Sequence, residues 1–149
     1  MSKKKKQVKT CLNAPAKEVK IQPASIAGKP VFRFEILDRN GDYAFDLNRK
    51  DFNEHDFLEK MIAYSRMAWT DIDQQTHDKG KSKHHYLTPY ERLSKEARAR
   101  LAQMQLDDFS DSIFSFAFTN LTRIIGIRID DIFYVLWYDA HHEVYPTSK

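Results

Sequence analysis

The chain has 149 residues, of which 42% are hydrophobic and 30% charged, a composition that fits one soluble domain and argues against two. No stretch reaches the roughly 20 apolar residues of a membrane span, and the basic N-terminus lacks the apolar segment of a signal peptide. Cys11 is the only cysteine, which excludes an internal disulfide. We therefore expect a cytoplasmic protein without a membrane partner.

The net charge of +3 is unevenly distributed along the chain. Residues 1–30 hold eight Lys and one Glu, a charge of +7, so the remaining 119 residues carry −4. Residues 1–29 show no apolar period and are predicted to be a flexible, disordered basic tail. Residues 30–149 are then predicted to form a single domain.

The first predicted element of this domain is a β-hairpin. The stretch "VFRFEILD" alternates apolar and polar residues, "RNGD" is a turn signal, and "YAFDL" returns as a second strand. A helix is predicted from an N-cap at Asp51, because Phe57, Met61 and Tyr64 recur at helical spacing. Residues 69–85 show no period and are predicted to be a long exposed loop.

A second helix is predicted from the capping box Thr88-Pro89-Tyr90-Glu91 to about Gln105. The stretch "IFSFAF" then alternates as a strand, and two more strands follow with a turn at Asp130-Asp131. The predicted fold class is α+β, with two helices packed on one face of a mainly antiparallel sheet, an extra N-terminal hairpin and the basic tail.

The C-terminal stretch, residues 123–145, has polar residues at distinctive positions between its apolar runs. Arg123-Ile124-Ile125 opens a strand, Asp130-Asp131 turns it, "FYVLW" continues, and His141-His142-Glu143-Val144-Tyr145 follows. This pattern resembles the terminal hairpin of the RelE/ParE superfamily of toxins from toxin–antitoxin systems. The resemblance covers about 25 residues by motif and about 100 by element order.

The resemblance implies a RelE-like fold and a toxin-like endoribonuclease, a hydrolase that uses no metal and no other cofactor. It also implies RNA as a partner, including messenger RNA on the ribosome, and a cognate antitoxin protein. In this family the corresponding histidine is the general acid and the arginine stabilises the scissile phosphate, which assigns these roles to His141 and Arg123. The general base is left open among Asp107, Asp108 and Asp111.

The residues themselves add alternatives to these assignments. Strand alternation puts Arg128 on the face of Gly126, so Arg128 competes with Arg123 as the phosphate ligand. His142 and Tyr145 accompany His141. The histidines either take part in proton transfer or bind backbone carbonyls, and Tyr145 either stacks on a base or packs at a strand edge.

Residues 79–85 form a second candidate site, for RNA binding. The stretch "KGKSKHH" offers positive or titratable side chains to a phosphate backbone, and the alternative is a solvated loop. The candidates are Lys79, Lys81, Lys83, His84 and His85. The histidine spacing matches no familiar metal motif, so no metal site is predicted.

A non-catalytic function on the same scaffold is the alternative hypothesis. Such a module would poison a nucleic-acid enzyme, as gyrase-directed relatives do, or serve as an accessory protein of a phage or mobile element. The net acidic domain and the absence of an arginine from "FSFAF" depart from the pattern of ribosome-dependent members. Loss of activity in His141→Ala would favour the nuclease.

Overall fold

The computed structural model describes residues 28–146. Residues 1–27, which hold nearly all of the predicted basic tail, lie outside the described residues. No helix within residues 28–146 combines the length and the apolar character needed to cross a membrane.

A five-stranded sheet forms the centre of the fold. Its strands are β1 (Val31–Arg33), β2 (His85–Tyr86), β3 (Ile113–Ala117), β4 (Arg123–Ile129) and β5 (Ile132–Asp139). Their order across the sheet is β1-β5-β4-β3-β2. The β1 strand pairs in parallel with β5, whereas all other neighbours are antiparallel. The predicted α+β class is confirmed.

The helices are α1 (Glu54–Ser65), α2 (Trp69–Gln74) and α3 (Lys95–Gln103), with 3-10 turns at Tyr90–Arg92 and Asp107–Ser112. The cap of α1 is Asn53, which accepts a 2.9 Å bond from the Asp56 amide, and not the predicted Asp51. The α3 helix begins at Lys95, seven residues after Thr88, the first residue of the predicted capping box. Its cap is Ser94, whose side chain accepts a bond from the Ala97 amide.

The predicted N-terminal hairpin is wrong. The β1 strand has three residues and pairs with the last strand, with Val31 opposite Ile132. Asp38 explains the difference, since its buried carboxylate accepts bonds from Arg100 at 2.9 and 2.7 Å and from Trp137 at 2.8 Å. These bonds hold the chain after β1 against the sheet and α3, so it does not turn back to pair with β1.

The helices cover both faces of the sheet, and the prediction of helices on one face is wrong. Met61 of α1 and Trp69 of α2 pack with Phe116 on one face, whereas Leu101 of α3 packs with Ile125 on the other. The cause is visible in β3, where all five residues are buried, because a strand that is apolar on both sides needs two covering layers.

Residues 69–85 were predicted to be one long loop, which is also wrong. Trp69 and Ile72 are both buried and anchor α2 to the sheet. A bridge between Thr76 and Ser82 then closes a tight hairpin around Gly80, whose φ of +83° requires a left-handed backbone. The turn projects from the edge of the sheet at β2.

Candidate functional site

Arg123 lies where β4 begins, between Ala117 of β3 and Asp139 of β5. Its side chain is largely buried, and its Nη1 donates to the carbonyl oxygens of Thr119 and Thr122 at 3.0 and 3.1 Å. Burial lowers the pKa of the guanidinium and the Asp139 charge raises it. An arginine still carries its full charge at neutral pH, so the end of the sheet has a fixed positive charge.

Asp139 sets the conformation of the chain that follows β5. Its buried carboxylate accepts 2.8 Å bonds from the amides of Glu143 and Val144. The turn that results places His142 in the left-handed region, with φ of 59°, which is uncommon for a residue other than glycine. Asp139 is therefore the residue that orients His142.

His142 is half-buried and lies within the electrostatic influence of Arg123. Burial is the largest cause of the lowered pKa of His142, and the positive charge of Arg123 lowers it further. Asp139 acts in the opposite direction. Since the pKa of His142 falls below its ordinary value of 6.5, the imidazole is neutral at pH 7 and is able to accept a proton.

His85 and Tyr145 complete this group of side chains. The Nδ1 atom of His85 lies 3.1 Å from the Tyr86 carbonyl, so Nδ1 carries the hydrogen and Nε2 is left for another partner. The rings of His85 and Tyr145 lie 6.4 Å apart, and the hydroxyl of Tyr145 donates to the Thr88 carbonyl. We call Arg123, His142, His85 and Tyr145 the Arg123–His142 cluster.

Arg92 adds a second cation beside the cluster. Its guanidinium carbon lies 4.9 Å from the centre of the Tyr145 ring, within the range of a cation–π contact. Arg92 is itself exposed to solvent. Tyr145 thus packs against Thr88 and Arg92 and keeps part of its surface exposed, while base stacking stays a prediction.

His141 lies apart from these side chains. It is exposed, and its Nε2 atom lies 3.4 Å from an Asp51 carboxylate oxygen. Asp51 lines a cleft of about 280 Å³ together with Asp56 and Glu59, whose one basic lining residue is Lys60. Because Arg49 already binds Asp51 at 2.7 Å, Asp56 and Glu59 face Lys60 alone, and the cleft offers no net positive charge to a phosphate.

The other proposed phosphate ligand, Arg128, is occupied by protein groups. It binds both carboxylate oxygens of Asp73, at 2.8 and 3.1 Å, and its guanidinium carbon lies 3.7 Å from the centre of the Trp69 ring. Arg128 lies five positions after Arg123 in β4, a distance of about 17 Å along the strand. Asp108 lies in the exposed turn before Ile113, which pairs with Ile127, and so belongs to the Arg128 end of the sheet.

The three lysines of the predicted RNA-binding stretch lie on or next to the hairpin of residues 76–82. Lys79 and Lys81 are exposed, and Lys83 is half-buried. The hairpin leads directly into β2, which carries His85 of the cluster, and the Lys83 amide donates to the Gln75 carbonyl at 2.9 Å just before that strand. The lysines therefore lie next in the chain to one member of the Arg123–His142 cluster.

His84 has a structural role instead. It is 2% exposed, its Nδ1 accepts a 3.0 Å bond from the Ala117 amide, and its Nε2 donates to the Gln75 side chain at 2.7 Å. Burial, with a smaller effect of Lys83, lowers the pKa of His84 to about 3. A neutral, fully bonded histidine has no atom left for RNA, and we leave His84 out of the RNA surface.

Sequence reasoning missed the part played by Asp139. The available signal was an acidic residue at the end of an apolar strand, followed by amides in reach of its carboxylate. Within residues 28–146, no group of three or more His, Cys, Asp or Glu side chains is placed to hold a metal ion. Comparisons with family models, curated proteins and solved structures found no match for this chain.

Proposed function

We propose that the chain is a toxin-like endoribonuclease that cleaves RNA by acid–base catalysis at the Arg123–His142 cluster. The observations that support the proposal are a half-buried imidazole whose pKa is lowered by burial and by the Arg123 charge, the buried Arg123 guanidinium, and a second imidazole, His85, whose Nδ1 is bonded to the Tyr86 carbonyl. These are the groups that phosphodiester cleavage by a neighbouring 2′-hydroxyl requires.

Each group has a chemical role in this proposal. His142 takes the proton of the 2′-hydroxyl, whose oxygen then attacks the adjacent phosphorus. Arg123 stabilises the charge that develops on the phosphoryl oxygens. The Nε2 atom of His85, when protonated, delivers a proton to the leaving 5′-oxygen, and the products are a cyclic phosphate and a free 5′-hydroxyl.

The basic hairpin supports RNA as the substrate. Lys79 and Lys81 extend the positive charge from the cluster along the β2 edge, where a phosphate backbone gains electrostatic attraction without sequence preference. Tyr145, with Arg92 beside it, offers an aromatic side chain next to the reacting groups.

The toxin–antitoxin setting rests on the resemblance of residues 123–145 to RelE/ParE toxins. It adds a cognate antitoxin as a partner, messenger RNA as a target, including RNA on the ribosome, and cytoplasmic action. Growth arrest upon expression, relieved by a co-expressed neighbouring gene product, would support this setting. Expression without any effect on growth would count against it.

The two adjacent histidines provide a matched pair for the test. Purified protein is incubated with RNA in the presence and absence of ribosomes, and products are mapped at nucleotide resolution. We expect His142→Ala to lower the cleavage rate by about 10²–10⁴-fold, the usual contribution of a general base, and His141→Ala to leave it within about twofold. The reverse result would return the catalytic role to His141.

Two further measurements separate catalysis from folding. Arg123→Gln should lower the rate while circular dichroism and the melting temperature show whether the sheet is retained. Because the pKa of His142 is below 6.5, the rate should rise with pH in the acidic range as His142 loses its proton, and it should fall again at higher pH as the general acid loses its own. An RNA with a single 2′-deoxy nucleotide should remain uncut at that position.

A non-catalytic binding module remains the second candidate, and one observation favours it. Arg123 is 7% exposed and already donates to two backbone carbonyls, which suits a structural charge as well as a phosphate ligand. In that case wild-type protein would bind RNA or another nucleic-acid partner without cutting it. Binding would then survive His142→Ala and weaken when Lys79 and Lys81 are replaced by Gln.

A further inference from the structure

A second surface, unconnected with the proposed chemistry, is an apolar groove between α1 and the chain that follows β1. The groove has a volume of about 420 Å³. Its lining is mostly apolar and aromatic, with three polar residues at the rim: Phe34, Leu37, Phe45, Leu47, Phe52, Phe57 and Leu58, together with Arg39, Glu54 and His55. We call this surface the α1 groove.

Three large apolar side chains of the α1 groove are left in solvent. Leu47 is 63% exposed, Leu58 is 59% exposed and Phe34 is 48% exposed. Single exposed apolar residues are ordinary, but several that line one concave surface are typical of a binding site. The α1 groove is therefore a candidate docking surface.

Charge indicates which kind of occupant the groove would attract. Residues 34–59, the stretch that contains the lining residues, hold eight Asp or Glu and three Lys or Arg, a charge of −5. The count is −3 without Asp38 and Glu35, whose carboxylates are bound by Arg100 and Arg33. A basic segment with apolar residues would match both the lining and its surroundings.

The N-terminal segment of the same chain has this composition. Residues 1–27 hold seven Lys and one Glu, a charge of +6, and carry the apolar side chains of Val8, Leu12, Val19, Ile21 and Ile26. Positive charge between isolated apolar residues would let such a segment seat apolar side chains in the groove while its lysines face the acidic residues of the 34–59 stretch around it.

The point of attachment brings this segment close enough. Gly28 is held by two bonds, from its amide to the Asp131 carboxylate at 3.2 Å and from the Trp69 amide to its carbonyl at 2.7 Å. From there β1 leads directly to Phe34 on the groove wall. The 27 residues before Gly28 span up to about 90 Å when extended, far more than the few residues of β1 that they must pass.

We propose that residues 1–27 dock into the α1 groove of their own chain. A local concentration set by covalent attachment makes a weak contact effective, because the segment cannot diffuse away. The apolar contacts supply the affinity and the charges supply the preference for this site over the basic hairpin of residues 76–82.

Cys11 makes the proposal testable in the full-length protein. It is the only cysteine, so a nitroxide label attaches there alone. In a ¹⁵N-labelled sample we expect the amide signals of Leu47 and Leu58 to lose most of their intensity relative to the ascorbate-reduced sample. The amide of Gly80, in the hairpin that leads into β2 at the opposite edge of the sheet from β1, should keep its intensity.

A matched pair of variants tests the role of the groove itself. The double variant Leu47→Ser, Leu58→Ser should restore the remaining groove signals, whereas Leu121→Ser, which changes an equally exposed leucine in the β3–β4 loop, should not. High salt should weaken the effect, because the attraction between exposed charges is screened. Uniform loss of intensity, or none, would overturn the proposal.

A mixed sample identifies the occupant. Unlabelled protein carrying the nitroxide is added to ¹⁵N-labelled protein without it, so any intensity loss in the groove comes from another molecule. We expect no loss. If the groove amides lose as much intensity in the mixed sample as in the sample whose ¹⁵N-labelled molecules carry the nitroxide themselves, the groove is occupied by a second copy of the chain. That result would overturn docking within one chain.

Discussion

The buried His84 makes the stability of the fold depend on pH in a definite window. Its pKa is lowered to about 3 in the folded protein, against 6.5 for an ordinary histidine. As the pH falls below 6.5 the unfolded chain binds a proton that the folded protein does not. The stabilisation is therefore complete above pH 6.5 and is lost progressively toward pH 3.

The size of the effect follows from the shift. Each pH unit between the two pKa values changes the free energy of unfolding by about 1.4 kcal/mol, so lowering the pH from 7 to 5 should remove about 2 kcal/mol through His84 alone. Carboxylates contribute in the same direction, and a variant that lacks the imidazole is needed to isolate the histidine.

His84→Asn is that variant, since its side chain can still accept the bond from the Ala117 amide. At pH 7 it should be less stable by about 1–3 kcal/mol, because it loses the bond to Gln75 and the ring contact with Tyr64. Urea unfolding at pH 7, 6 and 5 should show that it loses about 2 kcal/mol less than the wild type on acidification. His55→Asn, at an exposed position of α1, is the control.

Equal losses in His84→Asn and the wild type between pH 7 and pH 5 would refute the reasoning. That outcome would mean that His84 titrates at its ordinary pKa and that the folded protein accepts the proton where the structure buries it. The histidine would then be reached by water, and the bond between the Ala117 amide and its Nδ1 would open readily in the native state.

Two substitutions test the packing around the sheet. Gly126→Ala should lower the free energy of unfolding by about 2–3 kcal/mol or more, measured by urea titration, because a Cβ there would collide with the Tyr134 carbonyl oxygen of β5 and lie 2.7 Å from the Phe133 ring. An unchanged stability would mean that both the β5 backbone and this ring move aside easily. Asp38→Ala should cost about 3–5 kcal/mol by leaving the Trp137 indole and a guanidinium without their partner, while the exposed Asp42→Ala should change stability by less than about 0.5 kcal/mol.

The central strands could be predicted from the sequence because their high content of apolar residues indicates burial. Residues 113–117, 123–129 and 132–139 are mostly apolar, and Asp130 at the turn has φ of 55°, which suits a short acidic residue. The same runs contained the information that helices must cover both faces. We instead expected one covered face, because the alternation of "IFSFAF" suggests a half-exposed strand.

The first strand shows what local pattern cannot reveal. "VFRFEILD" alternates well enough for a hairpin, and the partner of Val31 is nevertheless Ile132, about a hundred residues later. Nothing in the neighbourhood of Val31 indicates that pairing. The buried carboxylate of Asp38 binds two residues far along the chain, Arg100 and Trp137, and these bonds hold the segment after β1 away from a hairpin with β1.

The candidate site depended on a finer detail. The sequence predicted that the last strand would deliver histidines beside Arg123, but the choice between His141 and His142 rests on one backbone conformation. Asp139 fixes that conformation by binding two amides, and the bonds place the two neighbouring imidazoles in different surroundings. Adjacent residues in a turn cannot be separated by periodicity.

The pairing of β1 with β5 gives synthesis of this protein a particular ending. The β1 strand has no partner in the sheet until residues 132–134, about a hundred residues later, have been made, and it joins in the parallel orientation that no tight turn can provide. Closure of that edge therefore reports that β5 has been made. A product that stops before residue 132 would leave the far side of β4 open, with unpaired backbone groups available to other strands.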